Sequence, residues 1–232
     1  MFVHVLRMEV NVGILAIQGG FSEHESALLN CLKENGGVID GVALRVRKVT
    51  EICDLQDLNG LIIPGGESSV NSQIMSEEMI EELANWSSNQ KHFVFGTCAG
   101  LITMSKNIEN AFPGQENHFS KLAKLDVTTS RNYFGRQQNS FEGKVFIKEK
   151  QISKYDENMS EICFGVFIRA PAIVSINSVD IKLLATVVVD NKEIIVAVEQ
   201  NNCMGLAFHP ELTNDIRWHA YFLSRIVQLC ES

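Results

Sequence analysis

No apolar run in this chain approaches the roughly 20 residues needed to cross a bilayer, so a membrane-spanning helix is not expected. Met1 to Gly20 is apolar, but Arg7 and Glu9 interrupt it, and it lacks the basic start and small-residue cleavage site of a secretory signal. The opening therefore reads as a short extension, residues 1–9, running into a first core strand. The six cysteines (31, 53, 98, 163, 203 and 230) contain no Cys-x-x-Cys pair and no dense framework, which argues against a disulfide scaffold and a zinc ribbon. Cysteines and histidines also lack ligand spacing, so neither a metal nor an organic cofactor is expected. Basic residues are in deficit, with 20 Lys and Arg against 28 Asp and Glu. Such a surface repels phosphate backbones, so nucleic acid is not an expected partner. Internal repeats, low-complexity tracts and linkers are all missing. What is left is a soluble, cytoplasmic, globular protein of one domain spanning residues 1–232.

What is present alternates between strand and helix. Val12 to Ile17 reads as a buried strand, followed by Gln18-Gly19-Gly20 and by Ser22-Glu23-His24-Glu25, a capping-box pattern. The helix it opens is expected to end at Gly36-Gly37, because glycine suits the left-handed position after a helix. Val42 to Val46 and Leu61 to Ile63 are further strands, the second stopping at Pro64-Gly65-Gly66. Ser76 to Ser88 reads as a helix with Glu77 and Glu78 in its first turn, where the dipole favours acids. Phe93 to Phe95 is another apolar strand, and Ala99 to Ser105 resumes helical character. Unbroken apolar strands alternating with helices imply right-handed parallel βαβ units. Lys106 to Lys121 reads as a long polar loop. Later strands are shorter: Val145 to Ile147, Ile162 to Ile168, Leu183 to Val189, Ile194 to Val198 and Met204 to Phe208, with a hairpin turn at Asp190-Asn191. Thr213 to Leu229 closes the chain as an amphipathic helix. The pattern is that of a single α/β domain with a mixed sheet.

Phe93-Val94-Phe95-Gly96-Thr97-Cys98-Ala99-Gly100 has the strand–turn–helix form of a nucleophile elbow, Gly-x-Cys-x-Gly. A sharp turn leaves no room for side chains at the flanking positions, hence Gly96 and Gly100. It lifts the Cys98 sulfur to the end of a strand and the start of a helix, where an anion is favoured. Ala207-Phe208-His209-Pro210-Glu211 supplies the complement. A cysteine nucleophile needs a base, and that base needs a partner to fix its tautomer. In an extended segment, residues two apart point the same way, so His209 and Glu211 are expected to face one site. His24 lies on the first helix near the Gln18-Gly19 turn. The consecutive glycines of Pro64-Gly65-Gly66-Glu67-Ser68 let backbone N–H groups turn toward a ligand, and Gly66 and Ala99 are the expected oxyanion donors.

These segments resemble the class I, triad-type glutamine amidotransferases, and within them the glutaminase subunits of pyridoxal 5′-phosphate synthase (the PdxT type). The resemblance runs nearly end to end. It is narrowest in Arg131-Asn132-Tyr133-Phe134-Gly135-Arg136-Gln137 and in Phe167-Ile168-Arg169-Ala170-Pro171. It implies a flavodoxin-like three-layer fold with a mixed, mainly parallel central sheet. It also implies glutamine hydrolysis to glutamate and ammonia, with Cys98 as nucleophile and His209 and Glu211 completing the triad. Glutamine binding falls by resemblance on Gly66, Glu67, Ser68, Arg131, Ile168 and Arg169; which arginine acts by side chain stays open. The implied partner is a separate (β/α)8 synthase subunit of the PdxS type, which takes the ammonia to build pyridoxal 5′-phosphate. Ser69-Val70-Asn71 departs from the more usual Ser-Thr-Thr, which leaves the triad intact. The residues by themselves leave two other readings open: a cysteine hydrolase or peptidase of related fold, and a non-catalytic subunit that keeps the fold.

Overall fold

The computed structural model describes residues 8–66, 75–111, 122–135 and 140–231. Among them, twelve strands join in one sheet. These are β1 (Met8–Leu15), β2 (Val42–Val49), β3 (Gly60–Ile63), β4 (Phe93–Thr97), β5 (Ser105–Glu109), β6 (Leu125–Ser130), β7 (Ser140–Ile147), β8 (Ile162–Ile168), β9 (Ala172–Ile176), β10 (Lys182–Val189), β11 (Lys192–Gln200) and β12 (Cys203–Leu206). The helices are α1 (Phe21–Asn30), α2 (Glu77–Ser88), α3 (Ala99–Met104), the single turn α4 (Lys150–Ser153) and α5 (Arg217–Glu231).

The centre of the sheet is the parallel run β2-β1-β3-β4-β12. This is the 2-1-3-4-5 order of a flavodoxin-like fold, with β12 in the fifth place. Beyond β12 the sheet turns antiparallel through β11, β10, β7 and β8, while β5, β6 and β9 form a side branch. Covering both faces explains the apolar strands: every residue of β3 and β4 is buried. Alternate residues of β4 serve opposite layers, Phe93 and Phe95 lying against Phe222 of α5. A methyl on Gly60 would stand 2.3 Å from Ile226 and 2.8 Å from Phe222, so its bare backbone lets α5 sit directly on the sheet. The carboxyl ends of β1, β3, β4 and β12 therefore open on one edge, where ligands bind in sheets of this type.

Several boundaries differ from the sequence expectation for identifiable reasons. β1 starts at Met8, inside the stretch read as an extension. Ser22 lies within α1 rather than capping it; Gly20 is the N-cap and makes no side-chain cap bond. α1 stops at Asn30, and Gly36, at φ 80°, instead closes a separate 3-10 turn. The expected polar loop from Lys106 begins as strand, because β5 finds a parallel partner in β6; residues 112–121 lie outside the described residues. Strands β6 and β9 went unread. Ser76 does cap α2, its Oγ accepting the Met79 N–H at 3.1 Å, and Asp190 and Asn191 both take positive φ in the expected hairpin.

Candidate active site

Cys98 sits between β4 and α3 with φ 49° and ψ −102°, a backbone region that costs a non-glycine residue about 1–3 kcal/mol. Its neighbours hold it there. Cys98 N–H donates to the Leu206 carbonyl of β12 at 2.7 Å. A methyl on Gly100 would meet the Ile63 carbonyl oxygen at 2.1 Å, and one on Gly96 would meet the Gly100 carbonyl carbon at 2.7 Å. The turn is thus wedged against β3 and α3 so closely that only glycine serves at both flanks.

His209 leaves the end of the parallel sheet next to β12, and its N–H donates to the Val166 carbonyl of β8 at 2.8 Å. It reaches Glu211 by a route other than the expected one. Pro210 opens a 3-10 turn, Pro210–Leu212, consistent with proline's preference for the first helical position. That turn, rather than an extended segment, swings Glu211 back beneath the ring. His209 Nδ1 then bonds Glu211 Oε1 at 2.7 Å, with the carboxylate side chain 1% exposed. Since Nδ1 is engaged by Glu211, Nε2 is the ring nitrogen left to serve Cys98. Burial works against a charged imidazole here, but the hydrogen bonds and charges of Cys98 and Glu211 outweigh it and raise the His209 pKa from 6.5 to about 10. The protonated form of the ring is thereby favoured where it faces the sulfur.

An aromatic file backs this line: Phe141 stacks on Phe167 at 4.6 Å, Phe167 meets Phe208 at 5.6 Å, and Phe208 meets Trp218 at 5.4 Å. Phe167 and Phe208 directly precede Ile168 and His209, so their burial fixes where those two residues emerge. The Ile168 carbonyl oxygen lies 3.9 Å from Cys98 Sγ. Arg169 follows, exposed and at φ 44°. Arg131 is buried at the end of β6, its Nη1 3.5 Å from the Asn110 carbonyl, and its turn is tied to the Ile168 segment by Tyr133 N–H to Ala170 O at 3.1 Å. Gly66 abuts the Gln18 side chain, and Ala99 opens α3. Glu67, Ser68, Ser69-Val70-Asn71, Arg136 and Gln137 lie outside the described residues. Gly65, expected only as one of the two loop glycines, packs against the reacting pair itself: its added methyl would fall 2.3 Å from His209 Cε1 and 3.0 Å from Cys98 Cβ. Thr97 is a site residue that no motif expectation named; its Oγ1 accepts the Gly65 N–H at 2.9 Å. The signal for Thr97 is adjacency, since it directly precedes Cys98.

A cysteine on a strained strand–helix turn, facing a carboxylate-backed histidine across the carboxyl edge of a doubly wound sheet, defines the class of cysteine-centred α/β amide hydrolases and amidotransferases. Comparison with known proteins narrows this. The chain belongs to the SNO glutamine amidotransferase family, whose model matches residues 14–228. It is 40% identical to a pyridoxal 5′-phosphate synthase subunit PdxT of Pyrococcus abyssi, over 93% of this chain and 99% of that one. It is 37% identical to a probable pyridoxal 5′-phosphate synthase subunit of Dictyostelium discoideum, over 94% and 93%. A crystal structure of a glutamine amidotransferase superposes with a TM-score of 0.73 at 33% identity, covering 93% of this chain and 98% of that one.

Proposed function

We propose that this chain is the glutaminase subunit of a pyridoxal 5′-phosphate synthase, with Cys98 as nucleophile, His209 as acid and base, and Glu211 as the group that orients it. Cys98 sulfur attacks the side-chain amide carbon of glutamine, and the oxyanion is received by backbone N–H groups of Gly66 and Ala99. Protonated His209 gives its proton to the leaving nitrogen, so ammonia departs and a γ-glutamyl thioester remains. His209 then takes a proton from water as it attacks the thioester, releasing glutamate and restoring the thiolate beside the protonated ring. Glu211 keeps Nδ1 protonated, so that Nε2 always faces the sulfur.

Gly66, Glu67, Ser68, Arg131, Ile168 and Arg169 form the proposed glutamine site, a guanidinium and a carboxylate suiting the substrate's α-carboxylate and ammonium ends. The ammonia passes to a (β/α)8 synthase subunit of the PdxS type. The observation that carries this reading is the buried His209–Glu211 pair, 2.7 Å long, set beside Cys98 with Gly65 packed against both residues. Its test is ammonia release from glutamine by the chain mixed with a cognate synthase subunit. The parent is expected to turn over and Cys98→Ala to be inactive; release that persists in Cys98→Ala refutes the assignment.

A further inference from the structure

Buried polar groups continue behind the proposed catalytic line. His24 of α1 and His219 of α5 are both wholly buried, and His24 Nδ1 lies 2.9 Å from His219 Nε2. On its other side, His24 Nε2 is 3.2 Å from Thr97 Oγ1 and 3.5 Å from Glu211 Oε2. Burial first, and then the charges of His219 and His209, hold the His24 pKa well below the ordinary histidine value. Burial pushes His219 down to about 3, against a smaller opposing pull from Asp215. Both rings are therefore neutral, with one proton each to place.

Elimination places them. Glu211 Oε1 accepts the His209 Nδ1–H, while Oε2 is buried and makes no hydrogen bond among the described residues, His24 Nε2 standing 3.5 Å away at charge-contact distance. His219 Nδ1 is likewise buried without a partner among them. If His24 carried its proton on Nδ1, its Nε2 lone pair would face a buried carboxylate. His219 would then have to accept through Nε2 and bury an N–H at Nδ1 with no acceptor. Each of those is costly in a dry interior. The opposite arrangement has neither fault: His219 Nε2–H donates to His24 Nδ1, and His24 Nε2–H is directed at Glu211 Oε2 and Thr97 Oγ1.

We infer that His24 is a positioning residue for glutamine hydrolysis: its Nε2–H steadies the free oxygen of Glu211, so that Oε1 is held toward His209, and His219 fixes the tautomer of His24. The inference rests on the reading of Cys98, His209 and Glu211 as the reacting set, which the Cys98→Ala assay decides separately. In the complex with a synthase subunit, His24→Leu removes the donor to a charged group and is expected to lower kcat by about tenfold to a hundredfold. KM should change by less than about twofold, because no substrate contact is lost. His24→Gln, which restores an N–H near the Nε2 position, should recover most of the rate. Nitrogen-15 NMR of the imidazoles in the unmutated chain, assigned with His24→Gln, should show His24 protonated on Nε2. A folded His24→Leu protein with the parent kcat, or a His24 ring protonated on Nδ1, overturns the inference, and the NMR arm decides it even if His24→Leu fails to fold.

Discussion

Replacing Gly65 by alanine probes the gap between sulfur and imidazole with one methyl group. Gly65 is buried, and its N–H is held by Thr97 Oγ1 at 2.9 Å, so the loop cannot easily withdraw. The new methyl carbon would stand 2.3 Å from His209 Cε1, where ordinary contact begins at 3.4 Å. The ring must therefore retreat by roughly 1 Å, and a displacement of that size costs on the order of a hundredfold in rate. It has little freedom to retreat, since Nδ1 is tied to Glu211 at 2.7 Å and Phe208 before it is fully buried. Overpacking of this kind costs about 1–3 kcal/mol of stability, only partly offset by the roughly 0.4–1 kcal/mol that alanine gains through the unfolded chain. Ammonia release at saturating glutamine, with the synthase subunit present, should thus fall about a hundredfold, while urea unfolding shows a modest loss. A folded Gly65→Ala protein with the parent rate would refute the claim that chemistry takes place in this gap.

Stability should also depend on pH through His209. Its folded pKa is raised to about 10 from 6.5, so its contribution is complete below pH 6.5 and is lost as pH climbs toward 10. Urea midpoints should therefore fall across that window, and fall less steeply in Cys98→Ala, which lacks one of the two partners. Gly100→Ala sets a helix-propensity gain of about 1 kcal/mol against a methyl 2.1 Å from the Ile63 carbonyl. A backbone oxygen cannot yield cheaply, so the variant should be less stable by thermal melting and should lose activity as α3 shifts Cys98. Asn202 Nδ2 serves the carbonyls of Ser87, Asn89 and His92 at 3.0, 3.2 and 2.7 Å. Asn202→Ala should cost about 1–3 kcal/mol in urea unfolding and leave kcat nearly unchanged, because these bonds tie the end of α2 to the β11–β12 turn, away from the site.

The readable parts of the sequence were those where one local constraint forces residue identity. Gly96 and Gly100 are legible because the turn around Cys98 admits no side chain, and β3 and β4 because strands covered on both faces are apolar up to their carboxyl ends, Thr97 being the one polar side chain. Ile162–Ile168 was located to the residue, its apolar run being bounded by polar and glycine-free flanks. β9 escaped because only Ala172 and Ile173 are buried in it and its outer residues are exposed, so no period declares itself. The Glu211 geometry was half read: its partnership with His209 followed from chemistry, but the 3-10 turn that produces it depends on proline at the turn's first position. His24 illustrates the firmer limit. Its partners lie 73 and 195 residues away along the chain, and nothing local distinguishes a histidine that backs a carboxylate from one that fills a core.

Exposure of the parent complex to 6-diazo-5-oxonorleucine, followed by peptide mass mapping, tests the central assignment most directly. Three rival thiols are disfavoured by burial, which pushes Cys31 and Cys203 up to about 12 and Cys163 up to about 11, leaving Cys53 and Cys230 as the exposed competitors. A nucleophile aimed by His209 should take the glutamine-like label on Cys98 alone, with ammonia release lost in step. Labelling of Cys53 or Cys230 while Cys98 stays unmodified and activity disappears would contradict the account.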